Sequence, residues 1–327
     1  MTDAAPEVPQ VPLGGSGIQV SRLALGSWRT YERMTREAGV AVLRAARESG
    51  ITFLDDARYN DETGTAPIPT GYSEVVFGEL FRGSGWPRAE AVVANKLWWE
   101  FWPGETPAQE LAGSLRRMQF DYLDLAYSEV PPDSLPLEDA VEMIGGLVRD
   151  GNVRAWGTLN WPPALMERAA QIAERAGLPG PAATQPPYSL VRRTVVEDPA
   201  MQELARTRRV AIVASYALAG GVLTGKYDQN PDAGRAAGTL DRPPVAAAVA
   251  AGRELAALAR ATGRDPAQLA MAFALLNPSV TAVLFGATAP WQITANLGAL
   301  AVAADLTAGE KEQLAAIGAP PVSGPGR

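Results

Sequence analysis

Eight times along this chain a short β-branched or apolar run gives way to a longer stretch with helical periodicity. The strand-like runs begin near Arg22, Thr52, Ala91, Tyr122, Arg154, Ala182, Val210 and Ala282. Helical periodicity follows over Thr35–Ser49, Tyr72–Arg82, Pro107–Met118, Leu137–Arg149, Pro163–Ala176 and Pro199–Arg208. Strands that run parallel need a long crossover, usually a helix, between them. Eight β-α units therefore predict a closed parallel barrel, the α/β architecture of the (β/α)8 TIM barrel, as a single domain over residues 13–318. An open doubly wound sheet also alternates strand and helix, but no G-x-G-x-x-G follows the first strand.

Local chemistry supports several boundaries. Asp198 before Pro199 and Asp265 before Pro266 read as N-caps followed by proline at the first helical position, where its missing N–H costs nothing. The unit from Val222 to Asn277 is longer than the others, and its loop from Asp228 to Pro244 reads as an insertion on the active face. Residues 1–12 and 319–327, apolar-poor and Pro-containing, are expected to be flexible tails.

Composition narrows the chemistry. No apolar run of roughly 18 residues is present, and no basic segment leads into an apolar stretch at the N-terminus, so a cytoplasmic protein without a membrane span is expected. A formal net charge of −7 argues against a broad nucleic-acid surface and for a small-molecule substrate. Oligomeric state is not legible. Cysteine and histidine are both absent. That removes thiolate and imidazole metal ligands, cysteine nucleophiles and the Ser-His-Asp triad, leaving Tyr, Lys, Asp and Glu for proton chemistry. Of 29 lysines and arginines only Lys96, Lys226 and Lys311 are lysine. A compact amine does work that a guanidinium fork cannot, which singles out the lysines placed at strand ends.

Barrel enzymes gather their chemistry at the C-terminal ends of the strands. Here those ends carry Asp55 and Asp56, Lys96, Glu129, Asn160, Gln185 and, just beyond the eighth strand, Thr288. A buried lysine beside a carboxylate and a tyrosine makes a proton-donating unit, because an ammonium lowers a phenol pKa from about 10 toward the working range. The same residues would also serve as a structural ion pair beneath a loop.

From about Leu13 to Leu300 the chain resembles the aldo-keto reductase superfamily. The likeness rests on ordered segments: Ser16-Gly17-Ile18 with Val20-Ser21-Arg22, the stretch Gly50 to Tyr59, Gly71-Tyr72-Ser73-Glu74 through Gly78, and Val92 to Lys96. Asp121-Tyr122-Leu123-Asp124, Trp156-Gly157 to Asn160, Leu223-Thr224-Gly225-Lys226-Tyr227 and Gly286-Ala287 through Gln292 to Asn296 complete it. The last two segments look most like the branch that contains potassium-channel β subunits and related bacterial reductases. The resemblance implies hydride transfer from NADPH, with Asp55, Lys96 and a tyrosine as the acid system. The family tyrosine stands five residues after the aspartate, where this chain has Asn60, while Tyr59 sits one residue early. Either Tyr59 reaches the site by a loop adjustment or Asn60 leaves only a hydrogen-bonding group.

The family's catalytic histidine falls on Glu129, and steroid 5β-reductases, which reduce enone C=C bonds, also resemble this chain in carrying Glu there. Burial raises a carboxyl pKa, so a neutral Glu can donate a hydrogen bond to a developing enolate. Three readings stay open: a reductase of an activated double bond (enone C=C or C=N), a carbonyl reductase of aldehydes or ketones, and an NADPH-binding regulatory or vestigial barrel. In the C=N version an ionised Glu129 pairs with an iminium, aided by Asp56 and an aromatic wall of Trp98, Trp99 and Trp102. For the cofactor, the resemblance implies Asn160 and Gln185 at the nicotinamide carboxamide and Tyr216 stacked on its ring, with Ser27, Trp28 and Leu218 among the cofactor-binding residues. Lys226 is implied at the pyrophosphate, Gly286, Thr288, Gln292 and Asn296 at the adenosine end, and Arg235 at the 2′-phosphate, which favours NADPH over NADH. No metal is implied. Leu159 and Ala295 depart from the family's usual serine and acidic residue beside Asn160 and Asn296.

Overall fold

The computed structural model describes residues 8–62, 64–230, 232 and 236–319. A short antiparallel hairpin opens the chain, β1 (Gln10–Pro12) against β2 (Gln19–Ser21). Eight parallel strands follow: β3 (Leu23–Gly26), β4 (Phe53–Asp55), β5 (Val92–Leu97), β6 (Leu123–Ser128), β7 (Val153–Thr158), β8 (Ala183–Thr184), β9 (Ala211–Ala214) and β10 (Val280–Phe285). They pair in chain order, and β10 closes onto β3 to complete the barrel. Every strand starts within two residues of its expected position. The helices Pro107–Met118, Leu137–Arg149 and Pro163–Ala176 coincide with expectation, and Arg36–Glu48, Tyr72–Ser84 and Pro199–Thr207 differ only at their ends. Asp198 accepts from Ala200 N, and Asp265 from Ala267 N and Gln268 N, as the Asp-Pro pairs require.

Alternation along each strand divides two apolar layers. Leu23, Leu25, Leu54, Val93 and Ala126 join the layer beneath the helices, while Ala24, Phe53, Ala94, Leu125, Tyr127, Ala183 and Val213 fill the barrel interior. Leu13, Ile18 and Val20 belong to that interior cluster, so the hairpin plugs the barrel's N-terminal end. The tail expected over residues 1–12 is thus ordered at least from Val8. Val8 is 1% exposed, and three-residue strands around Pro12 give too little alternation to be read in advance. Most of the expected tail at 319–327 lies outside the described residues. Before it, the helix Ala308–Ala316 starts on a reciprocal cap between Thr307 and Glu310.

Candidate active site

Register decides which strand-end side chains meet. In β4 the inward residues are Phe53 and then Asp55; in β5 they are Val92, Ala94 and then Lys96; in β6, Leu125 and Tyr127 lead to Glu129 just past the strand. Asp55 and Lys96 are each 3% exposed, and Lys96 Nζ donates to Asp55 Oδ2 at 2.5 Å and to the Asp56 carbonyl at 3.0 Å. Gln185 Nε2 donates to the other oxygen, Asp55 Oδ1, at 2.9 Å. Lys96 Nζ also lies 5.7 Å from the Tyr127 ring centroid. Both carboxylate oxygens are held, so the ion pair is fixed by more than its own attraction. Removing one partner from such a pair costs about 3–5 kcal/mol.

Asp56 faces the other way. It is fully buried and accepts a short hydrogen bond from Ser27 Oγ. Burial, reinforced by the negative charge of Glu74, pushes its carboxyl up to about 8, so it is largely neutral at pH 7. Ser27, expected at the cofactor, is 0% exposed with its hydroxyl turned to Asp56, and the raised pKa of Asp56 lowers the negative charge it can offer a substrate cation. Behind Asp56, buried Glu74 accepts from Asn95 Nδ2 at 2.8 Å and from the Arg117 guanidinium, while Asn95 Oδ1 accepts from the Lys96 backbone N–H at 2.6 Å. Asn95 and Glu74 sit on the helix side of the sheet, where a strand-end search does not look.

The loop after β4 settles where Tyr59 and Asn60 lie. Asn60 is exposed, bridges to Thr70 and donates to Glu100 Oε1 at 3.2 Å. Tyr59 is half-buried, with its ring 6.3 Å from that of Trp98. The aromatic wall is smaller than expected. Trp99 is 7% exposed and part of the apolar core, its indole N–H donates to Ser128 Oγ at 2.9 Å, and Trp102 packs edge-on against it at 5.9 Å. Trp98 alone of the three meets Tyr59.

Glu129 is half-buried at the mouth, its backbone N–H bonded to the Leu97 carbonyl at 2.9 Å. Desolvation raises its carboxyl pKa, against opposing hydrogen bonds from the Val130 N–H and the Asn160 side chain. Asn160 itself is exposed, with φ of 59°.

Across the mouth, the loops after β9 and β10 form a different kind of surface. Trp28 and Tyr216 face one another at 6.3 Å, and Arg192 lies 4.7 Å over the Tyr216 ring. Leu218 leads into the turn Ala219–Thr224, where Gly220 and Gly221 have φ of 69° and 89°. A Cβ at Gly221 would stand 2.8 Å from Lys226 Nζ, so the glycine makes room for the amine. After β10 come Gly286, Thr288 and the helix Pro290–Asp305, which has no acidic residue in its first turn. Gln292 Oε1 accepts from Thr288 N at 2.6 Å and Ala289 N at 3.2 Å, and Asn296 lies on the same helix, 8% exposed. A lysine amine over a glycine turn and a helix N-terminus beyond the last strand fit a pyrophosphate and adenosine phosphate. Arg235 lies outside the described residues.

A parallel eight-stranded barrel with a buried Asp–Lys pair in its mouth, and a glycine turn and a helix N-terminus after its last two strands, has the architecture of a nucleotide-cofactor oxidoreductase barrel. Residues 22–318 match the aldo/keto reductase family model, and the chain belongs to that family. As such it is an oxidoreductase of the NAD(P)H-dependent aldo-keto reductase type. It is 33% identical over 313 residues to a rice (Oryza sativa subsp. japonica) protein described as a probable voltage-gated potassium channel subunit beta, covering 90% of this chain and 92% of that one. An Arabidopsis thaliana protein of the same description is 30% identical over the same shares. A fission yeast (Schizosaccharomyces pombe) protein described as a putative subunit of this kind is 31% identical, over 90% of this chain and 88% of its own. Among the described residues no helix is long and apolar enough to cross a membrane.

Proposed function

We propose that this protein uses NADPH to reduce an activated double bond, an enone C=C or a C=N, in a small organic substrate, with Glu129, Tyr59, Lys96 and Asp55 as its catalytic group. The observation that carries this reading is Glu129: it is half-buried at the mouth, at the end of the strand beside the one carrying Lys96, with a carboxyl pKa raised by desolvation. A carboxyl that keeps its proton longer than usual donates a hydrogen bond to a carbonyl oxygen as that oxygen gains negative charge. In this reading Tyr59, beside Trp98, is the phenol of the acid system, and the buried Lys96–Asp55 pair supplies its fixed charge. Neutral Asp56 keeps a second negative charge away from Lys96.

Lys226, Gly286, Thr288, Gln292 and Asn296 are the residues that would hold the phosphates and adenosine, with Arg235 at a 2′-phosphate. Trp28, Asn160, Gln185, Tyr216 and Leu218 would enclose the nicotinamide. When bound, the reduced nicotinamide supplies the hydride. The substrate gains that hydride and one proton. Carbonyl reduction uses the same residues and stands as the alternative chemistry. A regulatory barrel is favoured by the channel-subunit descriptions of the relatives and by the altered positions Asn60, Glu129 and Leu159. Stopped-flow oxidation of bound NADPH against matched enones, cyclic imines and ketones tests the proposal. Faster single-turnover oxidation by enones or imines than by ketones is expected. Ketone preference would replace it with carbonyl reduction, and no oxidation by any class would favour the regulatory barrel.

A further inference from the structure

The residue before Tyr59 is an arginine that the barrel has almost closed over. Arg58 is 4% exposed, and its guanidinium donates to Thr70 Oγ1 at 3.1 Å and Glu110 Oε1 at 3.2 Å, pairs with Glu100 Oε2 at 3.2 Å, and lies 4.7 Å over the Phe101 ring. Glu110, 5% exposed in the first turn of the helix Pro107–Met118, also accepts from Trp98 N at 2.9 Å and Trp99 N at 3.3 Å. The residue after Tyr59 is tied to the same anchor, since Asn60 Nδ2 donates to the other oxygen of Glu100. The Tyr59 carbonyl in turn accepts from Gly71 N at 2.8 Å.

We propose that Arg58, with Glu110 and Glu100, is a positioning clamp that holds Tyr59 and Trp98 in one fixed arrangement at the barrel mouth. Both flanks of Tyr59 and the backbone of Trp98 converge on two carboxylates, and the two rings they carry meet at 6.3 Å. A buried ion pair is a poor way to stabilise a loop, since desolvation offsets most of its attraction. It is a good way to fix a direction, because a guanidinium fork donates to its partners in one plane only. Tyr59 as proton donor rests on the reading above; the clamp's hold on Tyr59 does not.

The test compares Arg58→Met, Tyr59→Phe and the double variant. The near-ultraviolet circular dichroism that Tyr59→Phe removes reports the fixed Tyr59–Trp98 pair without any turnover. In Arg58→Met that signal should vanish and kcat should fall by about 10- to 100-fold, the scale of a small misplacement of a reacting group. KM should change little, and NADPH affinity, read by quenching of protein fluorescence, should stay within about twofold. In the Tyr59→Phe background Arg58→Met should add little further loss, because both act through one ring. A retained dichroism signal, or full additivity of the two losses in kcat, would overturn the clamp. Full activity in Tyr59→Phe would instead remove Tyr59 from the reaction, while the dichroism comparison still decides the clamp. If Arg58→Met does not fold, Glu100→Gln and Asn60→Ala release the exposed arm and should weaken the same signal; an unchanged signal in both would overturn the proposal.

Discussion

The two sides of the barrel mouth are built on opposite principles. Around β4, β5 and β8 the polar groups are buried and already bonded to one another: Lys96 to Asp55, Gln185 to Asp55, Ser27 to Asp56, Arg58 to Glu110. Beyond β9 and β10 the surface is glycine turn, exposed threonine and helix N-terminus, and Gln292 spends its carbonyl on the loop and keeps its amide donors. Proton chemistry needs charges whose positions are fixed before the substrate arrives, since reorganisation during the reaction forfeits the electrostatic gain. Cofactor binding needs donors that are unspent until the phosphates arrive. The first side should therefore fail abruptly when a side chain changes shape, and the second should weaken by degrees.

The sharpest break of that contrast is Lys96→Arg. The charge beside Asp55 is kept, but the wider planar head does not fit a pocket 3% exposed. Turnover should fall by about 10²- to 10⁴-fold, the usual contribution of a positioned acid system, with NADPH affinity within about twofold. Retained turnover would make Lys96 structural. If Arg235 binds the 2′-phosphate as proposed, Arg235→Ala should remove most of the preference for NADPH over NADH. Charge-assisted phosphate contacts contribute about 1.5–3 kcal/mol, or about ten- to a hundredfold in affinity. Equal affinities for both cofactors in the unmodified protein would sink that assignment. Gly221→Ala should act more mildly, displacing the end of a flexible lysine and straining a residue at φ of 89°. A several-fold rise in the NADPH dissociation constant, about 1 kcal/mol, is expected, with kcat preserved. A large loss of kcat there would blur the distinction between the two sides.

A further effect concerns stability rather than turnover or affinity. Asp56 keeps its proton in the fold up to about 8 but loses it near 4 when unfolded, so between those values the native state binds more protons than the unfolded one. Its contribution to stability therefore falls as pH rises through that window. Asp56→Asn should flatten the decline of the urea midpoint between about pH 5 and 8. An unchanged slope would mean that Asp56 is ionised in the fold.

Where periodicity and caps carry information, the sequence was readable. Strand starts and helix limits followed from alternation and from Asp-Pro pairs, and the inward parity of Asp55, Lys96 and Glu129 follows once the strands are placed. The hairpin at Gln10–Ser21 was hidden because three-residue strands leave no pattern. The reciprocal cap at Thr307 and Glu310 was a signal for the last helix. Arg58, Glu74, Asn95 and Glu110 escaped because their work is done from the loop and from the helix side of the sheet, and only the packing shows them buried. The one hint was the run Asp55-Asp56-Ala57-Arg58, three charges in four residues on a segment that otherwise reads as barrel interior.

The most direct test of the account is the partition between C=C and C=O reduction in Glu129 variants, measured on a matched enone and ketone with a cyclic imine alongside. Glu129→Gln should keep hydrogen-bond donation and residual enone activity, and Glu129→Ala should lose more. Glu129→His should shift preference toward the ketone. Because the carboxyl pKa is raised, enone reduction should hold to a higher pH than an ordinary carboxylic acid allows and then fall, and Glu129→Gln should remove that fall. If Gln fails on the imine almost as completely as Ala, the needed group is the anion, and the substrate is an iminium. Unchanged rates and product ratios in all three variants would contradict the assignment of Glu129 to the chemistry.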